Sequence, residues 1–509
     1  MAKNKTCLPV KFKAIFDNQL GLWLFFLLFA ILIQLFANYD SPLHTYFRKV
    51  DSSWFYMGGK AMMNGLLPYV DFADSKGPLL WLFYGIGYLI SPTNFHGVFL
   101  LHCLLFSFIF LLAYKLAFML FDTASPTSRK TLSMASAVVF AIPLFCYNHI
   151  EMRCEDLCQL QLLYCIYCLT ACIKHNCVAP RHAYLMGVSI ATILLIKWNI
   201  TIYTSIVPLS VFAICLKRRI PVMKLLGWFF AGFLTVILPF IIVFTCLGIL
   251  PAFVNEYFFN TASTFKKTPH DFLVRYFLID IPSSFKYSRI VGFVACFLPF
   301  VFFKHNKKAR FIPVICALFM FFTFTYHGGA AVHYHSTYVS WFIFMSCLIA
   351  SASYGLCRHH KFLTLLTVSV LTFAITIGYA LVYHHNWIWS DNGRTFYESE
   401  KRLSALHNPK ILNWGNMEYS IGLSANSLPA CKYWAMQSNA DFIAPQQLAV
   451  LKSRIPDIVT LTGTQDAIPE KQQELLDSLQ YSFLTSVPTI FRAHYHVYIK
   501  TEILPLTIR

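Results

Sequence analysis

The sequence predicts an α-helical polytopic membrane protein, with about eleven transmembrane helices and a small soluble α/β domain at the C-terminal end. Three observations carry this. Hydrophobic residues make up 57% of the 509 positions and charged residues only 13%, about half the ~25% charged share of ordinary soluble proteins. The apolar residues are gathered into runs about 20 long, the length of helix that crosses a hydrocarbon core of about 30 Å. From about residue 385 onward the runs give way to short segments of alternating character.

The first run, Leu20–Tyr39, follows Lys3, Lys5, Lys11 and Lys13. It is long enough to span and lacks a small-residue cleavage site, so it reads as a signal anchor. Further spans are expected at Gly97–Phe121, Leu132–Tyr147, Leu157–Ile173, Ala183–Asn199, Ile200–Leu216, Leu226–Leu250, Ile290–Phe303, Phe311–His327, Ser336–Tyr354 and Phe362–His384. Between them lie basic clusters: Arg129/Lys130, Lys174/Arg181, Lys217/Arg218/Arg219/Lys224, Lys304/Lys307/Lys308/Arg310 and Arg358/Lys361. With the N-terminus cytoplasmic, every cluster falls on the cytoplasmic side, as the positive-inside rule requires. This accounts for the net charge of +18 and excludes a nucleic-acid partner.

The same bookkeeping decides the stretch Gly77–Ile90, GPLLWLFYGIGYLI. If it spanned, all later loops would change sides and the basic clusters would face outward. It reads instead as an interfacial or re-entrant helix, with Trp81, Tyr84 and Tyr88 at headgroup level. Residues 1–384 then form a transmembrane domain whose first outward loop is 40–96, and residues 385–509 an outward soluble domain. The expected location is the inner (cytoplasmic) membrane, with the tail periplasmic or extracellular. In the tail, KILNW, DIVTLTG and HVYIK read as strands and PEKQQELLDSLQ as a helix. Most of the sixteen cysteines fall inside spans and only Cys431 in the tail, which argues against a disulfide framework. The CxxC of Cys165 and Cys168 lies in an apolar helix and reads as buried small side chains.

Charge near a bilayer is costly, so the outward charged residues are the candidates for chemistry. The first loop contains VDSSWFYMGGKAMMNGLLPYVDFADSKGPLLW. Asp51 opens a short amphipathic helix with Ser52 and Ser53 in its first turn. Asp71 and Asp74 precede Lys76, which abuts Gly77 and Pro78. Two readings stand side by side. In one, Asp51 caps the helix and Lys76 snorkels to the interface. In the other, a carboxylate and an ammonium are held where a lipid headgroup lies. The second loop, NHIEMRCEDLC, packs Glu151, Arg153, Glu155 and Asp156 between two spans. It reads equally as a solvated loop or as acid/base or hard-cation chemistry, although its spacing matches no metal motif. Lys197, in LLIKWNITIY at the outward end of a span, has no acidic neighbour in sequence. It either snorkels or binds a lipid phosphate. His327, His333 and His335 flank a Gly-Gly turn and suit hydrogen bonding or phosphate contact better than metal binding.

Together these features resemble the GT-C superfamily of membrane glycosyltransferases, in particular the branch of protein O-mannosyltransferases and lipid A aminoarabinose transferases. Members share an early Asp in the first outward loop and a Lys-Pro-Pro-Leu-like element on an interfacial helix; here Asp51 and KGPLLW, Lys76 to Trp81, fill those places. GLLPYVD, from Gly65 to Asp71, EMRCED, and HYH at His333–His335 resemble further family elements in the same order. NWGNMEYSIGLSANSLPACKYW resembles the start of the family's outward domain. Two positions depart: Ser52 stands where a second acidic residue is usual, and Gly77 stands at one of the two Pro positions.

The resemblance implies an inverting transfer of a sugar from a polyprenyl-phosphate donor to an acceptor hydroxyl on the outer face of the membrane. The acceptor would be a glycan, lipid or protein. Asp51 would be the general base. Lys76 would stabilise the departing phosphate, with Lys197, Arg153 and His333 as further contacts. Glu151, Glu155, Asp156, Asp71, Asp74 and Tyr334 would position acceptor or sugar. No cofactor is called for, no metal ligands are assigned, and a divalent metal stays open. A polysaccharide polymerase or ligase is a rival reading. So is a lipid-linked sugar transporter or flippase, which predicts mid-membrane charges and an internal repeat that the sequence does not display.

Overall fold

The computed structural model describes residues 18–38, 40–43, 50–146, 153–176, 178–260, 287–303, 309–328, 339–388, 398–417, 421–436, 440–464, 467–488 and 494–507. Its helices include Gln19–Ala37 (α1), Val50–Met63 (α2), Pro78–Ile90 (α3), His96–Leu120 (α4), Pro126–Val139 (α5), Cys154–His175 (α6), Pro180–Ile196 (α7), Trp198–Thr204 (α8), Ile206–Lys217 (α9) and Val222–Cys246 (α10). A π-helical segment, Val254–Asn260, follows. Tyr287–Ala295 (α11), Phe311–Gly328 (α12), Ile343–Leu356 (α13) and Lys361–Ile388 (α14) complete the bundle. The ends follow local chemistry. Asn18 accepts the N–H of Leu20 at the start of α1, and Pro78, Pro126 and Pro180 stand at helix starts, where their missing N–H costs nothing. In α6, Glu155 and Asp156 occupy the first turn and Lys174 and His175 the last, matching the helix dipole at both ends.

Among the described residues, eight helical stretches are long and apolar enough to cross a membrane, and four shorter apolar ones accompany them. Three of the shorter ones, Pro180–Ile196, Val291–Phe302 and Phe311–Thr323, coincide with expected spans. The fourth is α3, which stays short and packs beside α2. The α10 helix leaves Trp228, Phe230, Leu234, Leu238 and Ile242 exposed. An apolar face of that size is a lipid-facing surface. Its other side packs tightly on α7, where Gly187 meets the Phe229 carbonyl and Gly232 the Tyr184 carbonyl so closely that neither position has room for a Cβ.

The loops sort to two ends. At one, Lys174 Nζ donates to the carbonyls of Met119 and Leu120 and pairs with Asp122 at 2.8 Å. There too, Arg218 donates to the Cys172 carbonyl, Arg129 to the Phe118 carbonyl, and Ser128 meets Tyr354. Members of three of the expected basic clusters thus lie at one end. The opposite end carries Asp51, Arg153, Glu155 and Lys197.

The C-terminal region forms a five-stranded sheet of β1 (Lys410–Asn413), β2 (Leu428–Pro429), β3 (Ile458–Gly463), β4 (Tyr481–Pro488) and β5 (His494–Lys500), in the order β2-β1-β3-β5-β4. The β1 strand pairs in parallel with β2 and β3, while β5 pairs antiparallel with β3 and β4. Helices Ala440–Lys452 (α15) and Glu470–Ser478 (α16) belong to the same region. The three strands and the helix read from the sequence are present. The β4 strand, the short β2 and α15 were not anticipated, because YSFLTSVP mixes polar and apolar residues without clean alternation.

Candidate active site

The site begins with how Lys76 is held. In GLLPYVD, Tyr69 adopts a left-handed backbone, its N–H bonds to the Phe72 carbonyl at 2.6 Å, and Asp71 accepts the N–H of Leu67 at 2.7 Å. The resulting turn buries the Tyr69 ring against Trp81, with centroids 4.8 Å apart. The Tyr69 hydroxyl donates to the Lys76 carbonyl at 3.0 Å. Burial, with the charges of Tyr257 and Asp74 adding to it, holds that hydroxyl well above the usual phenol range, so it stays a donor. On the other side, the Gly77 N–H donates to the Ile196 carbonyl at 2.9 Å, and a Cβ on Gly77 would overlap the Leu195 carbonyl. This gives a physical reason why position 77 is not a proline: Pro has no N–H to give. The Lys76 side chain is 12% exposed, too little for a snorkelling ammonium in water. Its Nζ lies 3.9 Å from Asp74 and 5.7 Å from the Phe55 ring centroid, one helical turn from Asp51.

The second loop meets the first across the bundle. Asp51, in the first turn of α2, pairs with Arg153 Nε at 3.6 Å, and the two side chains are 29% and 9% exposed. Two residues further on, Glu155 accepts from Lys197 at 2.5 Å and from the Cys154 thiol at 3.0 Å. Glu155, Lys197 and Lys76 all lie within electrostatic range of that thiol. Lys197 stands in extended backbone at the break between α7 and α8, next to the carbonyl that receives Gly77. Two carboxylates and three cations from four chain segments therefore converge on one end of the bundle.

Other expected residues are placed differently. Asp156 accepts the Arg153 N–H at 3.0 Å and holds the start of α6. Asp71 is exposed on its turn, where it accepts the Leu67 N–H. Asp74 accepts from the N–H and hydroxyl of Ser75. Glu151, His333 and Tyr334 lie outside the described residues. In the first outward loop, two buried charged residues were missed. Asp40 is 2% exposed and accepts from the Ser52 hydroxyl at 3.2 Å, so Ser52 serves a carboxylate other than its neighbour Asp51. Lys60 is fully buried on α2. The signal for Asp40 was its place directly after an apolar span; Lys60 carried none beyond following Gly58 and Gly59.

The C-terminal region closes over this end. Glu256 of the π-helical segment accepts from Lys432 at 2.5 Å and Tyr433 at 3.1 Å. Burial, and then the Glu256 charge, raise the Tyr433 hydroxyl above the usual phenol range. Trp434 packs on Trp54 of α2, centroids 5.1 Å apart, and Ala73 N–H donates to the Lys432 carbonyl. The KYW of the tail is thus laid across the first loop. Among the described residues no group of three or more His, Cys, Asp or Glu is placed to hold a metal ion.

No family model and no curated protein matches the chain. Solved structures do. ArnT from Cupriavidus metallidurans in the apo state is similar at a TM-score of 0.58 and 11% identity, over 96% of this chain and 99% of that one. The same protein bound to undecaprenyl phosphate is similar at 0.55 and 11%, over 94% and 98%. An oligosaccharyltransferase from Archaeoglobus fulgidus is more distant, at 0.44 and 12%, over 93% and 73%. The ArnT likeness, nearly end to end, shows the fold: this chain folds like ArnT over almost its whole length.

Proposed function

We propose that the chain is an inverting glycosyltransferase that moves a sugar from a polyprenyl-phosphate donor to an acceptor hydroxyl on the outward face of the membrane. One observation carries the reading: Asp51–Arg153, Glu155–Lys197 and Lys76 converge under the C-terminal region, at the end of the bundle away from the basic loops. It is supported by the fold shared with ArnT, a protein that was solved with undecaprenyl phosphate bound.

In this reading the acceptor oxygen attacks the anomeric carbon, the bond from that carbon to the phosphate oxygen breaks, and the acceptor proton passes to Asp51. Asp51 is the more exposed partner of its pair, and Arg153 orients it. Base assistance of this kind is worth about a hundredfold to ten-thousandfold. Negative charge grows on the leaving phosphate. Lys76, pinned through its backbone on both sides, supplies a cation that need not reorganise as that charge develops. Lys197 adds to the positive field, and Glu155 fixes its direction.

The test is to incubate purified protein with a panel of polyprenyl-phosphate sugars and follow loss of the donor and the anomeric configuration of the product. Consumption with inversion is expected. A protein that moves lipid-linked sugars between leaflets without cleaving any of them would instead be a flippase.

A further inference from the structure

A second charged feature lies at the opposite end of the bundle from the candidate active site. A cavity of about 480 Å³ opens between the start of α1, the last turns of α4, the start of α5 and the end of α6. Lys115, Arg129, Lys130 and His175 line it, and no acidic side chain does among the described residues. Asp122, just past the end of α4, pairs with Lys174. Arg129 is fixed in place, its Nε donating to the Phe118 carbonyl at 2.6 Å and its guanidinium 3.8 Å from the Phe118 ring centroid. Lys115, Lys130 and His175 are exposed.

Positive-inside sorting places cations in loops, and it does not account for Lys115. That residue lies within α4, about 8 Å short of the helix end at 1.5 Å per residue. Leu111, one turn deeper, and Leu22 of α1 form the apolar floor beneath it. The cavity is therefore cationic at headgroup depth and apolar towards the bilayer centre. We propose that it binds an anionic glycerophospholipid of the leaflet on the basic side, with the phosphate among Lys115, Arg129 and Lys130 and an acyl chain along Leu22 and Leu111. This needs no step of the transfer reaction and stands apart from it.

The test uses the full-length protein, delipidated in uncharged detergent, with native mass spectrometry to count bound lipid during titration. Phosphatidylglycerol is expected to bind at one site about tenfold or more tightly than phosphatidylcholine, since each surface cation contributes about a fivefold preference for anionic lipid. Lys115→Gln should weaken phosphatidylglycerol about fivefold, and Lys115→Gln with Lys130→Gln about 25-fold. Lys224→Gln, exposed on the same side at the start of α10, should change nothing. Equal binding of the two lipids, or equal losses in the Lys224 control, would overturn the proposal in favour of general surface charge. Inorganic phosphate binding as tightly as the lipid would overturn the lipid assignment. If the double variant fails to fold, Lys115→Gln alone decides, because that side chain is exposed.

Discussion

Lys197 and Glu155 are 42 residues apart in sequence, yet their side chains meet at 2.5 Å with only 9% and 2% of their surface exposed. Glu155 suits the first turn of α6, but nothing local explains its burial or that of Lys197. Lys197 interrupts two spans, and Glu155 opens another; each is tolerated in a dry place because the other is there.

The pair therefore predicts a characteristic pattern of stability. Glu155→Gln or Lys197→Met alone leaves a buried charge without its counter-ion, at a cost of about 3–5 kcal/mol. The double variant, apolar at 197 and neutral at 155, should recover much of that loss. Thermal melts of the four proteins in detergent measure this. Single variants that melt like the wild type would mean that water reaches the pair.

Asp51→Asn is nearly isosteric and cannot take a proton. It should keep its fold and its donor affinity and lose about a hundredfold to ten-thousandfold in single-turnover transfer. The helix-cap alternative forecasts the reverse, because Asn caps about as well as Asp. Near-normal transfer with saturating donor would remove Asp51 as the base and turn attention to Glu155 and Glu151.

Lys76→Ala should weaken donor binding, and Lys76→Arg should restore part of it. Gly77→Ala tests the same ammonium through its backbone. The added methyl meets the Leu195 carbonyl, so Lys76 must shift although its charge remains. Donor affinity is expected to fall in Gly77→Ala as well, as measured by tritiated polyprenyl-phosphate sugar retained on immobilised protein. Unchanged affinity in Lys76→Ala would leave Lys76 as a structural anchor.

The sidedness of the bundle makes a prediction of its own. With the basic clusters cytoplasmic, a reporter active only in the cytoplasm and fused after Arg509 should be silent, and one placed within 304–310 should be active. A strong signal from the Arg509 fusion would reverse the proposed outward site.

The KYW segment should act as a tie between the C-terminal region and the first loop. Lys432→Ala removes the partner of Glu256 and, because that pair is partly exposed, should cost no more than about 1 kcal/mol. Trp434→Ala removes a buried ring packed against Trp54 and should cost about 3–5 kcal/mol. Comparing how fast protease cleaves the two variants ahead of the tail separates the roles. Equal protection in both would mean that the region is held elsewhere.

Much of this protein is legible in its sequence alone. Runs of apolar residues and one-sided basic clusters depend on local composition, since a bilayer imposes the same length and the same charge bias on each span separately. That is why the helices, the short α3 and three of the strands can be read directly. Asp51, Lys76 and the second loop stand out because charge beside a membrane is rare, and their order carries the likeness to the GT-C fold. What each does there depends on distant chain. Whether Lys76 and Lys197 snorkel or are enclosed turns on what packs over them. Glu155 finds Lys197, Gly77 finds Ile196, Ser52 finds Asp40, and Trp434 of the tail finds Trp54. Ion pairs and hydrogen bonds act over a few ångströms regardless of separation along the chain, so only the tertiary structure could decide which charges face each other.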